Sequence, residues 1–320
     1  MTKLDTISVI IPTFNRASLI ERAIHSLFKQ TRTQWEAIIV DDGSTDNTKE
    51  IVQQYLADRR VRYFRQGNAG VGVARNFGVK KTAADFVTFL DSDDEFLPDA
   101  IETMQDDIAF LKDDIFILLY GRIRVTKTSS YQEPLPDGTL VDYKSAIRGS
   151  WPKIDTVALC RKEIFDIARF PEFSLPISDP GVPKHVPEAL FWLRVLRSGT
   201  RAMLKSKKFY LYHVESSDRL TGGLQHRKRA KTMPQHIIAF LAEFGADYEA
   251  LNPDRLAHFH LEKAIYEIAD GHAAAGRQSL RCARKYGALI WPLANVLYLS
   301  SFVPNRLFVS AAAWFVDRGF

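Results

Sequence analysis

The order of apolar segments in the first 125 residues restricts the fold more than any other feature of this sequence. Short runs rich in β-branched and aromatic residues alternate with segments whose apolar residues recur every three to four positions, as at Leu19, Ala23 and Leu27. The first pattern predicts strands, and the second predicts amphipathic helices. This alternation is typical of an α/β protein with a parallel sheet. We predict strands at 7–11, 37–40, 61–64, 86–90 and 115–120, separated by helices at 16–30, 45–57, 70–82 and 98–111.

The rest of the chain is less regular. Residues 127–150 are rich in Ser, Pro, Gly and Asp, which favours a loop or an insertion. Ordered elements are predicted again at 157–168 and 188–198, and from about residue 220 the pattern is helical and basic. The sequence therefore predicts a helical part that follows the α/β part.

Composition and charge exclude some classes of protein and leave others open. Of the 320 residues, 46% are apolar and 25% are charged, which excludes a disordered or collagen-like chain. The two cysteines, Cys160 and Cys282, are far apart, which argues against a thiolate zinc site and fits a reducing compartment. The net charge of +5 suits an anionic substrate, a nucleic acid or a membrane face. No secretory signal opens the chain, so we expect a cytoplasmic location.

Polar clusters follow three of the predicted strands, at 13–16, 41–44 and 91–94. In an open parallel sheet, ligands bind beyond the carboxyl ends of the strands. Asp91 and Asp93 are two positions apart, so in an extended chain their side chains share one face. Two like charges on one face are unfavourable unless a cation or a proton lies between them. The pattern favours Mg²⁺ or Mn²⁺ bound together with a phosphate ester, although single loop carboxylates are commonly solvated turn or capping groups.

The segment at 68–76 contains Gly70 and Gly72 and then Arg75. It does not match a dinucleotide-binding fingerprint, because Arg75 stands where the third glycine is required and the segment follows the third strand instead of the first. Its glycines could bring backbone N–H groups close to a phosphate, and Arg75 could add a fork of donors. A tight turn that enters a helix would give the same pattern.

Four segments together resemble glycosyltransferase family 2, the nucleotide-sugar transferases with the GT-A fold. They occur in the order and approximate spacing of that family, and a weaker likeness continues through 159–163 to 191–194. The resemblance implies an α/β fold in which helices flank a GT-A nucleotide-binding sheet, with a helical extension at the C-terminus. The four segments are 8–16, 40–46, 68–76 and 89–94.

The resemblance implies a nucleotide-sugar pocket at the strand ends. Thr13, Asn15 and Asn68 would line this pocket. Asp42 would accept hydrogen bonds from the base, usually uracil, and Arg75 would approach the ribose or the diphosphate. A UDP-sugar is therefore the expected donor.

The resemblance also implies a metal site. The segment at 91–93 matches the DXD motif of the family, which implies that Asp91 lies near the ribose and the metal and that Asp93 is a direct ligand. His213 stands where some members have a histidine near the metal or diphosphate, although a histidine at a strand end is more often a hydrogen-bonding residue. The expected cofactor is Mn²⁺ or Mg²⁺, which as a Lewis acid would neutralise charge on the leaving nucleoside diphosphate.

A general base must deprotonate the acceptor hydroxyl. The family usually supplies an aspartate from a Glu-Asp pair that precedes a Leu-Trp-Leu-Arg helix, whereas this chain has Pro187 and Glu188 before Phe-Trp-Leu-Arg. Glu188 takes the aspartate position, six residues before Arg194, and has one more methylene group. Two alternatives stay open: a carboxylate that only favours the helix N-terminus, and Asp179 as the base.

The resemblance divides the chain into two domains. Residues 1–219 are predicted to form the GT-A domain, with a nucleotide-sugar half at 1–126 and an acceptor half at 127–219. Residues 220–320 form the predicted helical extension, which is a candidate for association with a membrane.

Two segments of this extension allow several interpretations. The basic run at 226–231 fits a solvated surface or attraction to anionic lipid headgroups. Nucleic acid is not an expected partner, because no aromatic-interleaved binding module accompanies this run. The 20 residues at 286–305 carry no charge but include two prolines. A membrane-spanning helix, a packed hairpin and an interfacial segment all remain open for them.

We therefore expect an inverting glycosyltransferase of the hexosyltransferase type, in which Glu188 activates a hydroxyl of a saccharide or of a lipid-linked acceptor. Peripheral contact with the inner face of the cell membrane is expected. One alternative is a polyprenyl-phosphate sugar transferase. Another is a noncatalytic homologue that retains the nucleotide-sugar pocket.

Overall fold

The computed structural model describes residues 5–126, 130–131, 135–151, 156–172, 188–213 and 233–286. These residues fall into two compact units. The first unit comprises the described residues up to 213 except 147–149, and the second comprises 147–149 and the helices from 233 onward.

In the described part of the first unit, one sheet of ten strands forms the centre. Its strand order is β3-β2-β1-β4-β9-β6-β10-β5, with β7 paired to β6 and β8 paired to β10. The strands are β1 (Ile7–Thr13), β2 (Trp35–Asp41), β3 (Val61–Arg65), β4 (Phe86–Phe89), β5 (Glu95–Phe96), β6 (Ile115–Val125), β7 (Ser130–Tyr131), β8 (Leu140–Val141), β9 (Thr156–Arg161) and β10 (Arg201–His213).

Helices connect these strands. Within the first unit they are α1 (Ile20–Phe28), α2 (Thr48–Gln53), α3 (Val71–Lys81), α4 (Ala100–Asp107), α5 (Tyr143–Ser145), α6 (Ile164–Ile167) and α7 (Ala189–Arg197). A short 3₁₀ turn (Ile108–Phe110) continues α4, and a π-type turn (Ala146–Ser150) continues α5.

The five predicted strands are all present, but the sheet is mixed. β3, β2, β1 and β4 are mutually parallel, as expected. The fifth predicted strand, β6, has the same direction as these four, because β9 lies between β4 and β6 and runs antiparallel to both. The parallel order predicted for the five strands is therefore confirmed, and the antiparallel strand β9 makes the sheet mixed. Among the described residues that connect β6 to β9, the helical elements are α5 and the π-type turn that continues it, which are shorter than the crossover that parallel pairing needs. The sequence alone did not show where the chain would reverse.

Strand β1 lies at the centre of the core and explains why the first apolar run is almost continuous. All seven of its residues are buried, as expected for a strand covered by helices on both faces. Gly78 of α3 packs directly on this strand, since a Cβ atom at Gly78 would lie 2.5 Å from Ile10 Cγ2. The absence of a side chain at Gly78 therefore sets how closely α3 approaches the sheet.

Helix α1 starts four residues later than the sequence predicted, at Ile20 instead of Arg16. The backbone N–H groups of Arg16 and Ala17 donate to Thr48 Oγ1 (3.0 Å) and Asp46 Oδ2 (3.0 Å) on the other side of the strand ends. These long-range bonds hold residues 16–17 in a loop. The same loops shorten α2, which spans Thr48–Gln53 where 45–57 was predicted.

The second unit is helical in its described part, which confirms the predicted C-terminal helices. Asn252 caps the second of its helices by accepting a hydrogen bond from the Arg255 N–H (3.1 Å). A Cβ atom at Gly276 would lie 2.3 Å from Ile268 Cγ1, so this glycine allows the last two helices to pack closely. The helices are α8 (Met233–Leu251), α9 (Pro253–Ala269) and α10 (Ala273–Tyr286).

Among the helices of the described residues, none combines the length and apolarity needed to cross a bilayer. The basic run at 226–231 and the uncharged run beyond Tyr286 lie outside the described residues, as does Asp179. Their predicted roles stay predictions.

Candidate functional site

The loops that follow β1 and β2 are joined by hydrogen bonds. The Asn15 N–H donates to Ser44 Oγ (2.9 Å), and Asn15 Oδ1 accepts from the Thr45 N–H (2.8 Å). Asn15 has a φ of 52°, in the left-handed region that asparagine tolerates better than most residues. The hydroxyl of Thr13, at the end of β1, is buried and has no hydrogen-bond partner within the described part of the chain. Thr13 and Asn15 therefore lie together at the carboxyl edge of the sheet, as the sequence predicted.

Asp42 fixes the loop between β3 and α3. Its Oδ1 accepts from Gln66 Nε2 (2.8 Å) and from the Ala69 N–H (2.8 Å), while Oδ2 accepts from the Gly70 N–H (2.7 Å). Both carboxylate oxygens thus have partners within the protein. Contact of Asp42 with a nucleotide base stays a prediction, and the structure adds a role in loop geometry that the sequence did not indicate.

Asn68 belongs to the same group of loops. Gly43 has a φ of 87°, and a Cβ atom there would lie 2.9 Å from the Asn68 backbone nitrogen. A glycine at 43 is thus required both by the turn and by the close approach of the loop at 66–70. Asn68 itself is exposed at this edge.

Arg75 links two carboxylates that are far apart in the sequence. Its Nη2 donates to Asp91 Oδ1 (2.9 Å), and its Nη1 donates to Glu188 Oε1. The Arg75 side chain is 6% exposed, whereas those of Asp91 and Glu188 are 30% and 40% exposed. The structure therefore brings together a residue predicted to approach the diphosphate, the first aspartate of the DXD segment and the predicted base.

The buried guanidinium affects how both carboxyl groups ionise. Burial acts to raise the pKa of Glu188, but the charge and hydrogen bond of Arg75 outweigh it and hold this pKa below its ordinary value. The pKa of Asp91 is likewise lowered despite burial, by Arg75 and Arg122. Both carboxylates are therefore charged at neutral pH.

Arg122 and Tyr210 complete the surroundings of Asp91, and the sequence analysis did not identify either of them. Arg122 Nη1 lies 3.6 Å from Asp91 Oδ2, and its guanidinium stacks 4.3 Å from the ring centroid of Tyr210. The Tyr210 hydroxyl accepts from the Asp91 N–H (3.1 Å) and donates to Asp94 Oδ2 (2.8 Å). An arginine within the apolar run of β6 was the only signal in the sequence that could have pointed to Arg122.

Asp94 joins the end of β10 to the DXD loop. The His213 N–H donates to Asp94 Oδ1 (2.9 Å), and His213 Nε2 lies 2.8 Å from Glu95 Oε1. Burial, together with the negative charge of Asp91, raises the pKa of Asp94 to about 7. His213 is therefore next to the DXD loop, as predicted, but its imidazole faces Glu95.

Few side chains of the described residues at this edge of the sheet could bind a metal ion. Within the described residues, no three histidine, cysteine or carboxylate side chains form a cluster that could hold a metal ion. Asp91 and Asp93 offer carboxylate oxygens from one loop, and the Asp93 carbonyl accepts a hydrogen bond from Arg22. Two such carboxylates fit Mg²⁺ or Mn²⁺ when phosphate oxygens supply the other ligands, so the donor set suits the expected cofactor.

A cavity of about 450 Å³ lies at the opposite end of the sheet, where β4 begins and β9 ends. Charged residues of both signs line it, including Asp85, Arg161 and Glu163. None of the predicted site residues borders this cavity, so the candidate site remains at the carboxyl edge of β1, β2 and β4.

The first half of the chain matches the model of a known protein family. Residues 8–166 match the family model described as Glycosyl transferase family 2. An uncharacterized glycosyltransferase of Haemophilus influenzae is 33% identical over 171 residues, which cover 52% of this chain and 67% of that protein. The poly(ribitol-phosphate) beta-N-acetylglucosaminyltransferase TarS of Staphylococcus aureus is 28% identical over 279 residues, 84% of this chain and 44% of TarS.

Other relatives are much longer than their match. An uncharacterized glycosyltransferase of Rickettsia felis is 37% identical over 133 residues, and the match covers 41% of this chain and 22% of that protein. This chain therefore spans only part of the length of several curated relatives.

Comparison with solved structures shows the fold. The crystal structure of S. aureus TarS residues 1–349 in complex with UDP-GlcNAc has a TM-score of 0.63 at 20% identity, covering 98% of this chain and 92% of that one. The mannosyltransferase PcManGT of Pyrobaculum calidifontis, in complex with GDP-Man and Mn²⁺, has a TM-score of 0.53 at 18% identity, covering 98% and 86%. The fold is of the GT-A type, and this chain belongs to glycosyl transferase family 2.

Proposed function

We propose that the protein transfers a sugar from a nucleotide diphosphate sugar, with UDP as the nucleotide, to a hydroxyl group of an acceptor. The observation that carries the proposal is the pairing of Asp91 and Glu188 on the one guanidinium of Arg75. This pairing places a carboxylate from the DXD segment beside a carboxylate that is charged at neutral pH. A single-displacement transfer requires a general base beside the donor site, and the shared contact with Arg75 supplies that proximity.

The strand-end loops supply the donor site in this proposal. Thr13, Asn15 and Asn68 line the nucleotide pocket, and the loop that Asp42 holds contributes backbone N–H groups. The relative TarS was crystallised with UDP-GlcNAc, which supports a UDP-sugar as the donor. Arg75 and Arg122 add positive charge beside the proposed diphosphate position.

Glu188 acts as the general base. The acceptor hydroxyl gives its proton to a Glu188 carboxylate oxygen as its own oxygen forms a bond to the anomeric carbon. The bond from this carbon to the diphosphate oxygen breaks, and its electron pair leaves with the nucleoside diphosphate. Attack from the face opposite the leaving group inverts the anomeric configuration.

Asp93 and Asp91 would hold Mg²⁺ or Mn²⁺, with His213 as a further candidate ligand. When bound, the ion would neutralise charge on the departing diphosphate. The support is the donor set itself, in which two carboxylates of one loop need only phosphate oxygens to complete the site.

The acceptor is proposed to be a saccharide or a lipid-linked saccharide at the inner face of the cell membrane. Support comes from the family and from the relative TarS, whose name specifies a poly(ribitol-phosphate) acceptor. The membrane location rests on the sequence alone, namely the basic run at 226–231 and the uncharged run at 286–305.

Release of nucleoside diphosphate from a panel of UDP-, GDP- and CDP-sugars, with Mn²⁺ and the full chain, tests this function. We expect turnover with a UDP-sugar, including slow hydrolysis with water as the acceptor. Glu188→Gln should lower kcat by about 10²- to 10⁴-fold, because proton transfer contributes that much, while UDP still binds. Glu163→Gln is the matched control, since Glu163 pairs with Arg161 (3.0 Å) away from the site, and it should keep wild-type turnover.

Three results would each contradict one part of the proposal. No release from any sugar nucleotide would contradict the transferase function, and full turnover of Glu188→Gln would contradict the assignment of the base. Activity that persists in excess EDTA would contradict the proposed requirement for a divalent metal ion.

A further inference from the structure

The Arg75 guanidinium packs against two phenylalanine rings that also contact each other. Its central carbon is 5.4 Å from the ring centroid of Phe89 and 5.5 Å from that of Phe170, and the two rings meet edge to face at 5.4 Å. A cation over aromatic faces is stabilised electrostatically, and more strongly where water is excluded. Both Nη atoms bind carboxylates, whereas the buried Nε has no hydrogen-bond partner among the residues that the structure describes. The rings and the two carboxylates therefore fix the orientation of the guanidinium.

Phe170 is itself anchored to α3. Asn76 Nδ2 donates to the Phe170 carbonyl (2.8 Å), and the Phe170 N–H donates to Asn76 Oδ1 (3.0 Å). The close approach depends on Gly72, because a Cβ atom there would lie 2.9 Å from the Pro171 carbonyl oxygen. The segment that carries Phe170 is thus held on the helix that carries Arg75.

Phe170 also contacts the helix that follows the predicted base. Its ring stacks on Phe191 with centroids 4.2 Å apart and planes inclined by 30°. Phe191 lies in the first turn of α7, and Glu188 is the residue that precedes this helix. One aromatic ring therefore contacts both Arg75, which binds Glu188, and the helix that positions the Glu188 backbone.

Glu188 keeps one oxygen available. Oε1 binds Arg75, and across the described residues Oε2 has no hydrogen-bond partner. The side chain is 40% exposed, so an incoming hydroxyl could reach Oε2. An arginine that holds one oxygen of a carboxylate and leaves the other open is suited to orienting a base.

We propose that Arg75 and Phe170 are positioning residues for the general base, with Phe170 fixing the guanidinium and Arg75 directing Glu188 Oε2 towards the acceptor hydroxyl. This inference rests on the proposed function. The proton passes from the hydroxyl to Oε2, while Oε1 stays paired with Arg75. Arg75→Lys would keep the positive charge beside the proposed diphosphate position, so its main effect should be on the transfer step and not on the affinity for the donor.

The experiment compares Arg75→Lys and Phe170→Leu with wild type, using UDP release from UDP-GlcNAc, or from whichever UDP-sugar the wild type turns over. Lysine keeps the charge but loses the fork that spans two carboxylates. We expect Arg75→Lys to lower kcat by about 10- to 100-fold, as small misplacements of catalytic groups do, with the Kd for UDP within about threefold of wild type. Phe170→Leu should lower kcat by about 5- to 20-fold, and Phe170→Tyr, which keeps the ring, should restore most of it.

Arg62→Lys is the matched control. Arg62 also pairs with a glutamate, Glu36 (3.4 Å), and lies 5.3 Å from the ring centroid of Phe64, but it belongs to the edge strand β3. It should keep wild-type kcat. Guanidinium at millimolar concentration should restore part of the kcat of Arg75→Ala, and it should not affect Glu188→Gln.

Other outcomes would overturn the inference. If Arg75→Lys weakens UDP binding more than tenfold at unchanged kcat, Arg75 acts on the diphosphate. If Phe170→Leu lowers the Tm at wild-type kcat, Phe170 only packs the core. Should Arg75→Ala not fold, as judged by circular dichroism, the Lys and Leu variants still decide the question. Full activity of Glu188→Gln would instead contradict the proposed function, so the two failures are distinguishable.

Discussion

Asp42 allows a quantitative test of how the strand-end loops are held. The residue is buried, with 4% of its surface exposed, and its carboxylate accepts three hydrogen bonds, from Gln66 Nε2, the Ala69 N–H and the Gly70 N–H. In Asp42→Asn the shape is preserved, but one oxygen becomes an NH₂ group that can only donate. Whichever way the amide turns, at least one loop N–H loses its acceptor and faces another donor.

The loss of stability in Asp42→Asn can be worked out from these hydrogen bonds. If the remaining oxygen keeps the bonds to Gln66 and Ala69, the Gly70 N–H is left unpaired. A hydrogen bond to a charged group contributes about 1.5–3 kcal/mol, and an unsatisfied buried donor costs a similar amount. We therefore expect Asp42→Asn to lower the free energy of unfolding of the first unit by about 2–3 kcal/mol. For a unit of roughly 200 residues this corresponds to a fall in Tm of about 4–12 °C.

Hydrogen–deuterium exchange and thermal unfolding measure the two consequences separately. Peptides that cover 66–71 should exchange faster in Asp42→Asn, because the Ala69 and Gly70 amides lose protection. Asp58→Asn is the control. Asp58 also accepts hydrogen bonds from N–H groups, but it lies at the surface and is paired with Arg60 (2.7 Å). This variant should lower the free energy of unfolding by no more than about 1 kcal/mol. Unchanged stability and loop exchange in Asp42→Asn, with nucleotide binding lost, would refute this reasoning and leave Asp42 as a ligand-binding group alone.

The remaining predictions concern packing, the DXD loop and the metal. Gly78→Ala should lower the free energy of unfolding of the first unit by about 1–3 kcal/mol, because the added Cβ atom would overpack against Ile10. Gly245→Ala lies inside α8, where the nearest atom is 3.9 Å from the added Cβ, and it should stabilise the second unit by about 0.5–1 kcal/mol. Thermal unfolding measures both changes, and the reverse order of stabilities would contradict the packing described for Gly78. Tyr210→Phe removes the hydroxyl between the Asp91 N–H and Asp94, so we expect a fall in kcat of roughly tenfold, and wild-type kcat would refute a role for this bridge. Chelation by EDTA should abolish UDP release, and added Mn²⁺ should restore it.

The sequence predicted the elements of the nucleotide half well because their signals are local. Apolar runs bounded by Pro12 or by acidic loops identify strands, and the three polar clusters lie at one edge of the sheet as the parallel order requires. The direction of β9 has no such local signal, because a strand's apolar pattern is the same in both directions. Its antiparallel pairing with β4 and β6 therefore had to come from the structure.

Contacts across the site were harder to predict than the elements. Arg75 and Glu188 are 113 positions apart, and Tyr210 lies 119 positions from Asp91. A motif indicates that a residue has a role but not which other residue it touches. Arg75 was therefore assigned to the donor alone, and its contact with the predicted base could be found only in three dimensions.

The contacts of Asp91 affect how strongly the DXD loop requires a metal ion. From the sequence, two like charges at Asp91 and Asp93 are unfavourable unless a cation or a proton lies between them. In the structure, the guanidinium groups of Arg75 and Arg122 already compensate the charge of Asp91, one at 2.9 Å and the other at 3.6 Å. The need for a divalent ion therefore depends on Asp93 and on the two phosphates of the donor, which bring more negative charge than these arginines balance. Metal affinity should consequently be low without a nucleotide and should increase when UDP binds.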